Sequence, residues 1–238
     1  MFGGFVYPAI AVPVALFCYH HVSSSNKARV DVVRAANAQI SLSGKTAIIV
    51  GGTSGIGRGL AVRLAEAGAS VTIVGRSKQR GAVVVEEMKQ AASTSSSTGA
   101  HSFLPCDCFS LSNINDCVTT LKANHASIDY VVCSQGMATI QGWTATSEKE
   151  QLDQKLTLHV YSRAAFARGL GKILQRSDDG KFMSVLSAGV HSPFADYATD
   201  PELNRGAYSI KNAADAAGFY NDILMDSYST QFQARTKP

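Results

Sequence analysis

No cysteine in the chain belongs to a C-x-x-C pair, and no histidine stands near Cys18, Cys106, Cys108, Cys117 or Cys133 in a zinc-ligand spacing. That leaves no metal site to propose. Five cysteines are an odd number without a disulfide framework, which points to a reducing compartment and mostly buried thiols. Cys106 and Cys108 form a C-x-C that is open to a redox role or a structural one. Basic residues are scattered through a chain of net charge +4, with no cluster interleaved with aromatics, so nucleic acid finds no footprint. No internal repeat is visible. Nothing acidic precedes Asp31, and no charged side chain precedes Lys27.

That uncharged start is a composition shift. Phe5 to Tyr19 is an apolar run of roughly fifteen residues, between the lengths of buried and membrane-spanning helices. Pro8 and Pro13 weaken a water-soluble helix more than a membrane one. Lys27, Arg29 and Arg34 all follow the run, so a spanning segment would leave the next domain facing the cytosol. A cleaved signal peptide fits less well, because no basic region comes first. Residues 1–43 therefore read as an apolar segment and linker, either a membrane anchor or a transit peptide. Without insertion, the chain belongs in the cytoplasm.

From residue 44 the pattern alternates. "KTAIIV" (Lys45 to Val50) is a short β-branched run ending in glycines, which reads as a buried strand. "GIGRGLAVRLAEAG" spaces Ile56, Leu60, Leu64 and Ala67 along a helix face and stops at Gly68. Further strands are expected at "SVTIV", "HSFLPC", "IDYVVC" and "GKFMSVLS". Helices are expected at Lys78 to Ala92, Leu111 to Asn124, Gln151 to Leu174 and Ala207 to Tyr228. Such alternation predicts an α/β fold, a Rossmann-type doubly wound parallel sheet with helices on both faces, over residues 44–238.

"VGGTSGIGRG" runs out of the first strand into the first helix. Gly51 lets the chain turn, while Gly55 and Gly57 let backbone amides approach a pyrophosphate at a helix N-terminus. The rival reading is a flexible glycine loop. With Val50 in the threonine place, these residues resemble the T-G-x-x-x-G-x-G fingerprint of the short-chain dehydrogenase/reductase family, over roughly residues 44 to 228. The resemblance implies dinucleotide binding by Gly51, Ser54, Gly55, Ile56 and Gly57. The second strand ends on Gly75 and Arg76, where an NAD-preferring member keeps an acid. Arg76 suits a 2′-phosphate, so NADPH is expected over NAD, with Arg58 and Lys78 adding to the field; a solvated basic turn is the alternative. Asp107 stands where the family contacts adenine, or is a plain loop acid. Gly136 closes "CSQG" in the place of N-N-A-G. His159 replaces the family's relay asparagine, or is a partly buried helix histidine.

Ser187, after the fifth strand, matches the serine that polarises the substrate carbonyl, or is an ordinary strand-end serine. The long stretch from there to Tyr208 resembles the retinol-dehydrogenase-like branch. Tyr208 takes the place of the family's acid/base tyrosine, with Tyr197 a weaker candidate. The lysine expected four residues on is Asn212. Lys211 comes one residue early, about 100° round the helix, and can assist only by swinging on its stem. The family's sixth and seventh strands and P-G turn are not seen, so the domain reads as C-terminally truncated, with apolar surface exposed beside the fifth strand. Two functions follow. One is an NADPH-dependent oxidoreductase acting on a small carbonyl/alcohol substrate, lipophilic if the N-terminus is an anchor. The other is a catalytically impaired or non-catalytic dinucleotide-binding or interaction protein. Whether copies form a homo-oligomer is left open.

Overall fold

The computed structural model describes residues 27–94, 99–186, 191–206 and 208–233. The chain divides into two units, Met1–Ser41 and Leu42–Pro238. In the first, a helix over 27–38 (α1) is exposed along its described length. The apolar run Phe5 to Tyr19 lies outside the described residues, and no described helix is long and apolar enough to cross a membrane.

The second unit is built on five parallel strands: β1 (Thr46–Val50), β2 (Ser70–Gly75), β3 (His101–Pro105), β4 (Tyr130–Cys133) and β5 (Lys181–Ser184). Their order is β3-β2-β1-β4-β5, so the chain starts at the centre, winds to one edge and crosses to the other. The last four residues of β1 are completely buried, because both faces of the strand are covered. Successive side chains of a strand point to opposite faces, and β1 feeds two cores accordingly. Ile48 and Val50 join Val131 and Cys133 against α4 (Leu111–Asn124) and α6 (Ser162–Leu174). Ala47 and Ile49 join Val71 and Ile73 against α2 (Gly55–Glu66) and α3 (Lys78–Thr94).

The doubly wound sheet expected from the alternation is thus present, and α4 has the expected bounds. The buried face of α2 differs from expectation. It is Gly57, Ala61 and Ala65, while Ile56 is 65% exposed. Small residues let the helix backbone sit close to the sheet, and that close approach outweighs the larger apolar spacing.

The long helix expected from Gln151 starts later. Gln151 has φ of 50°, and Asp153 caps the turn by accepting from the amides of Lys155 (2.9 Å) and Leu156 (3.0 Å). From there α5 (Gln154–Leu156) passes through a π-helical turn, Thr157–Tyr161, into α6. The last helix, α7, runs from Ile210 to Gln233 rather than from Ala207 to Tyr228. Ser209 sets its start, with its hydroxyl accepting from the Asn212 amide at 2.9 Å and its carbonyl from Ala213 N at 2.9 Å. α7 packs Ala213, Ala216 and Ala217 against Leu156, Val160, Phe194 and Leu203. β5 is the edge of the described sheet, and Met183 on it is 55% exposed.

Candidate active site

The turn from β1 into α2 has the geometry of an anion cradle. Gly51 sits at φ of 80°, where other residues are strained. At Gly57 a Cβ would stand 2.4 Å from the Gly51 carbonyl oxygen and 2.3 Å from Ser134 Oγ, so only glycine lets the helix end approach the loop. Ser54 is the N-cap of α2, yet its side chain does not cap, and no acid occupies the first turn. The amides there keep their hydrogen-bonding capacity, and the helix dipole is not neutralised.

Gly51, Ser54, Gly55, Ile56, Arg76 and Gly136 border one cleft of about 250 Å³, with Arg80, Cys106 and Cys108 on its walls. Arg76 lies over the Phe109 ring (4.9 Å to the centroid), and its Nε is 4.0 Å from Asp107 Oδ1. Arg76 and Asp107 therefore meet, with Asp107 also accepting from Phe109 N at 3.1 Å. Arg58 does not add to the field as expected, because Glu87 takes its guanidinium at 2.7 and 2.5 Å. The described cysteines, Cys106, Cys108, Cys117 and Cys133, are free and buried. These features suit a phosphorylated dinucleotide: a glycine cradle that a Cβ would fill, unspent helix amides, no acid at Gly75, and a guanidinium at the rim.

The floor of the cleft is tied to the far edge of the sheet by a residue that pattern reading passes over. Arg163 on α6 is 1% exposed, and its guanidinium donates to the carbonyls of Gln135 (2.7 Å), Val185 (2.8 Å) and Leu158 (3.2 Å) and to Ser184 Oγ (2.6 Å). Burial lowers its pKa from the usual arginine value. Ser184 donates onward to Asn221 Oδ1 on α7 at 2.9 Å. His159 lies in the π-helical turn, with Nε2 facing the amide nitrogen (3.3 Å) and carbonyl oxygen (3.1 Å) of Met137. It accepts from one or donates to the other according to tautomer. Its Nδ1 is buried without a partner among the described residues. Burial, partly offset by Met137, lowers its pKa and favours the neutral ring.

Tyr208 lies outside this cleft. It precedes α7, outside any helix or strand, and lines a second cavity, of about 580 Å³, with Trp143, Gln151, Leu203, Asn204 and Gly206. Lys211 does not approach it. The Lys211 side chain is 71% exposed and its ammonium is held by Asp215, one turn further along α7. The expected assistance from Lys211 is therefore corrected: with the helix starting at Ile210, residues 208 and 211 share no helical face. The group that does reach Tyr208 is Lys155, whose Nζ donates to Tyr208 Oη at 2.9 Å and to the Gln141 carbonyl at 2.5 Å. No spacing rule links residues 155 and 208. The one hint in the sequence was a lysine among the apolar positions of a helix. Ser187 lies outside the described residues.

The fold and the glycine turn define a class, and the sequence comparison agrees with it. The chain belongs to the short chain dehydrogenase family, which matches residues 45–199 and so stops short of Tyr208. Among curated relatives, an oxidoreductase of Emericella nidulans is 28% identical over 209 residues, 87% of this chain and 59% of that protein. A 3beta-hydroxysteroid dehydrogenase of Mediterraneibacter gnavus is 29% identical over 60% of this chain and 49% of its own length. The chain thus spans about half the length of the curated relatives it matches. A metagenomic short-chain oxidoreductase solved in complex with NADP superposes with a TM-score of 0.63 at 21% identity, covering 81% of this chain and 77% of the other, a likeness of fold. Sequence and fold thus place the chain in the same family.

Proposed function

We propose that the protein is an NADPH-dependent oxidoreductase that interconverts a carbonyl and an alcohol. The observation that carries this reading is the cleft itself. Ser54, Gly55 and Ile56 border it where α2 begins, and Arg76 supplies a cation where an NAD-preferring site needs an acid. The Arg76 guanidinium would hold the 2′-phosphate, with Asp107 orienting it, and Gly136 would let the cofactor lie close to the end of β4. When bound, the cofactor supplies a hydride.

In the reduction direction the chain's own groups handle the oxygen. Tyr208 Oη gives its proton to the substrate oxygen as the carbonyl carbon gains hydrogen, and water returns a proton to the phenol afterwards. Ser187 would donate a hydrogen bond to the same oxygen. One helix end joins the two cavities: Leu158 borders the cleft, and Lys155, which holds Tyr208, stands about one turn earlier, roughly 4.5 Å along the axis. Trp143 and Leu203 give the Tyr208 cavity an apolar side, and Gln151 and Asn204 a polar one. A lipophilic substrate is supported by the apolar N-terminal run and by the steroid dehydrogenase among the relatives.

The test is NADPH oxidation with a panel of carbonyl compounds. Arg76→Glu should lose NADPH preference over NADH by about tenfold or more, and Tyr208→Phe should remove turnover while leaving NADPH binding intact. Turnover indifferent to Tyr208→Phe would sink its role. A second reading, a dinucleotide-binding protein without turnover, is favoured by the Lys211–Asp215 pair and by Asn212 in the lysine place. It is the conclusion if NADPH binds and no carbonyl is reduced.

A further inference from the structure

A phenol that gives up a proton near neutrality needs a positive charge beside its oxygen to receive the negative charge left behind. Position 212 brings none, and Lys211 is turned to Asp215. Lys155 brings one from a different element. It is 7% exposed, fixed at its backbone by the Asp153 cap, and its ammonium touches Tyr208 Oη at 2.9 Å. It also donates to the neutral Gln141 carbonyl at 2.5 Å. Asp153, the nearest acid in sequence, has its carboxylate engaged by the amides of Thr144, Lys155 and Leu156. The Lys155 charge therefore has the Tyr208 oxygen as its principal partner among the described residues.

The direction of the hydrogen bond matters. An ammonium can only donate, so Tyr208 Oη accepts, and its own hydrogen is free to point elsewhere. Tyr208 lines the 580 Å³ cavity, which gives that hydrogen somewhere to go. We infer that Lys155 is the positioning residue of this site: it orients the Tyr208 phenol toward the cavity and stabilises the negative charge that gathers on Oη as the O–H bond breaks. A lysine from the start of α5 thereby does what the family motif assigns to one four residues after the tyrosine. The inference rests on reading Tyr208 as the proton donor.

Two measurements on the full chain separate the inference from that reading. In steady-state NADPH turnover, Lys155→Met should lower kcat tenfold or more while the KM values for NADPH and carbonyl stay within about twofold, and Lys155→Arg should recover most of the loss. Independently of turnover, the near-ultraviolet difference spectrum between the unaltered chain and Lys155→Met should carry a tyrosine band from the lost hydrogen bond, and the same difference taken in a Tyr208→Phe background should lack it. If Lys155→Met loses its cooperative melt, Lys155→Gln, which keeps a donor and drops the charge, is read the same way. A difference spectrum without that band overturns the inference, as does a loss of kcat in Lys211→Met with none in Lys155→Met. A chain that reduces no carbonyl overturns the oxidoreductase reading instead, and the difference spectrum still decides whether Lys155 holds the phenol.

Discussion

The dinucleotide cleft and the Tyr208 cavity are assembled in opposite ways. The cleft draws its main parts from one turn, Gly51 to Gly57, and from the end of the neighbouring strand at Gly75 and Arg76. The cavity gathers Trp143, Gln151, Leu203 and Tyr208 from loops on either side of a helix and a strand, and Lys155 reaches the tyrosine across 53 positions. A phosphate site made of backbone amides is specified locally, by where glycines permit the chain to turn. A proton-transfer pair made of side chains needs only that two groups meet, and any two elements that pack together can supply them. Replacement of one lysine by another is therefore far easier at the second site than relocation of a glycine turn at the first.

Three measurements would break or sharpen this contrast. The largest effect should come from Arg163→Leu, which removes the donor shared by Gln135 at the cleft and by Ser184 and Val185 at β5. Leaving these acceptors buried without it should cost about 3 kcal/mol or more, which for a domain of this size is a fall in melting temperature of roughly 10 °C. An unchanged melt would mean that Arg163 does not tie the cleft floor to the edge of the sheet. Next is Gly57→Ala. With a Cβ directed at the Gly51 carbonyl oxygen at 2.4 Å, NADPH affinity measured by fluorescence titration should fall by about tenfold to a hundredfold, roughly 1.4 to 2.8 kcal/mol.

The smallest effect is that of pH. The folded state holds the His159 pKa below its usual 6.5, chiefly by burial, so the unfolded chain binds a proton that the folded chain does not. Stability should therefore decline as pH drops below about 6.5, by at most about 1.4 kcal/mol per unit from this group. His159→Asn should flatten part of the difference in melting temperature between pH 7.5 and 5.5. The full difference persisting in that variant would exclude His159 as its source.

The same contrast explains what could be read in advance. The strand–helix alternation, the turn at Gly51 and the cation at Arg76 follow from periodicity and from residues adjacent in the chain. The start of α7 was misplaced by three residues, because "AYSIKN" carries helix-like spacing while the Ser209 cap, a local feature, sets the actual boundary. That small displacement takes Tyr208 off the helix and separates it from Lys211. The partners of Lys155 and Arg163 were not legible. Each lies in an apolar helix pattern and has meaning only through carbonyls and hydroxyls that other elements bring to it. Ile56 was assigned to the core by its spacing, and the sheet instead selected the smaller Ala61 and Ala65.

β1 emerges first among the strands yet occupies the middle of the sheet. It finds β2 soon after synthesis, but its other edge waits for β4, and the amide of Thr46 bonds the carboxylate of Asp129 across 83 residues. At roughly 5–20 residues per second, that edge stays unpaired for about 4 to 17 seconds on the ribosome. An Ile48–Ile49–Val50 strand with one bare side is sticky for that whole interval. The translation speed between residues 50 and 133 should therefore set how much of this protein reaches its folded state.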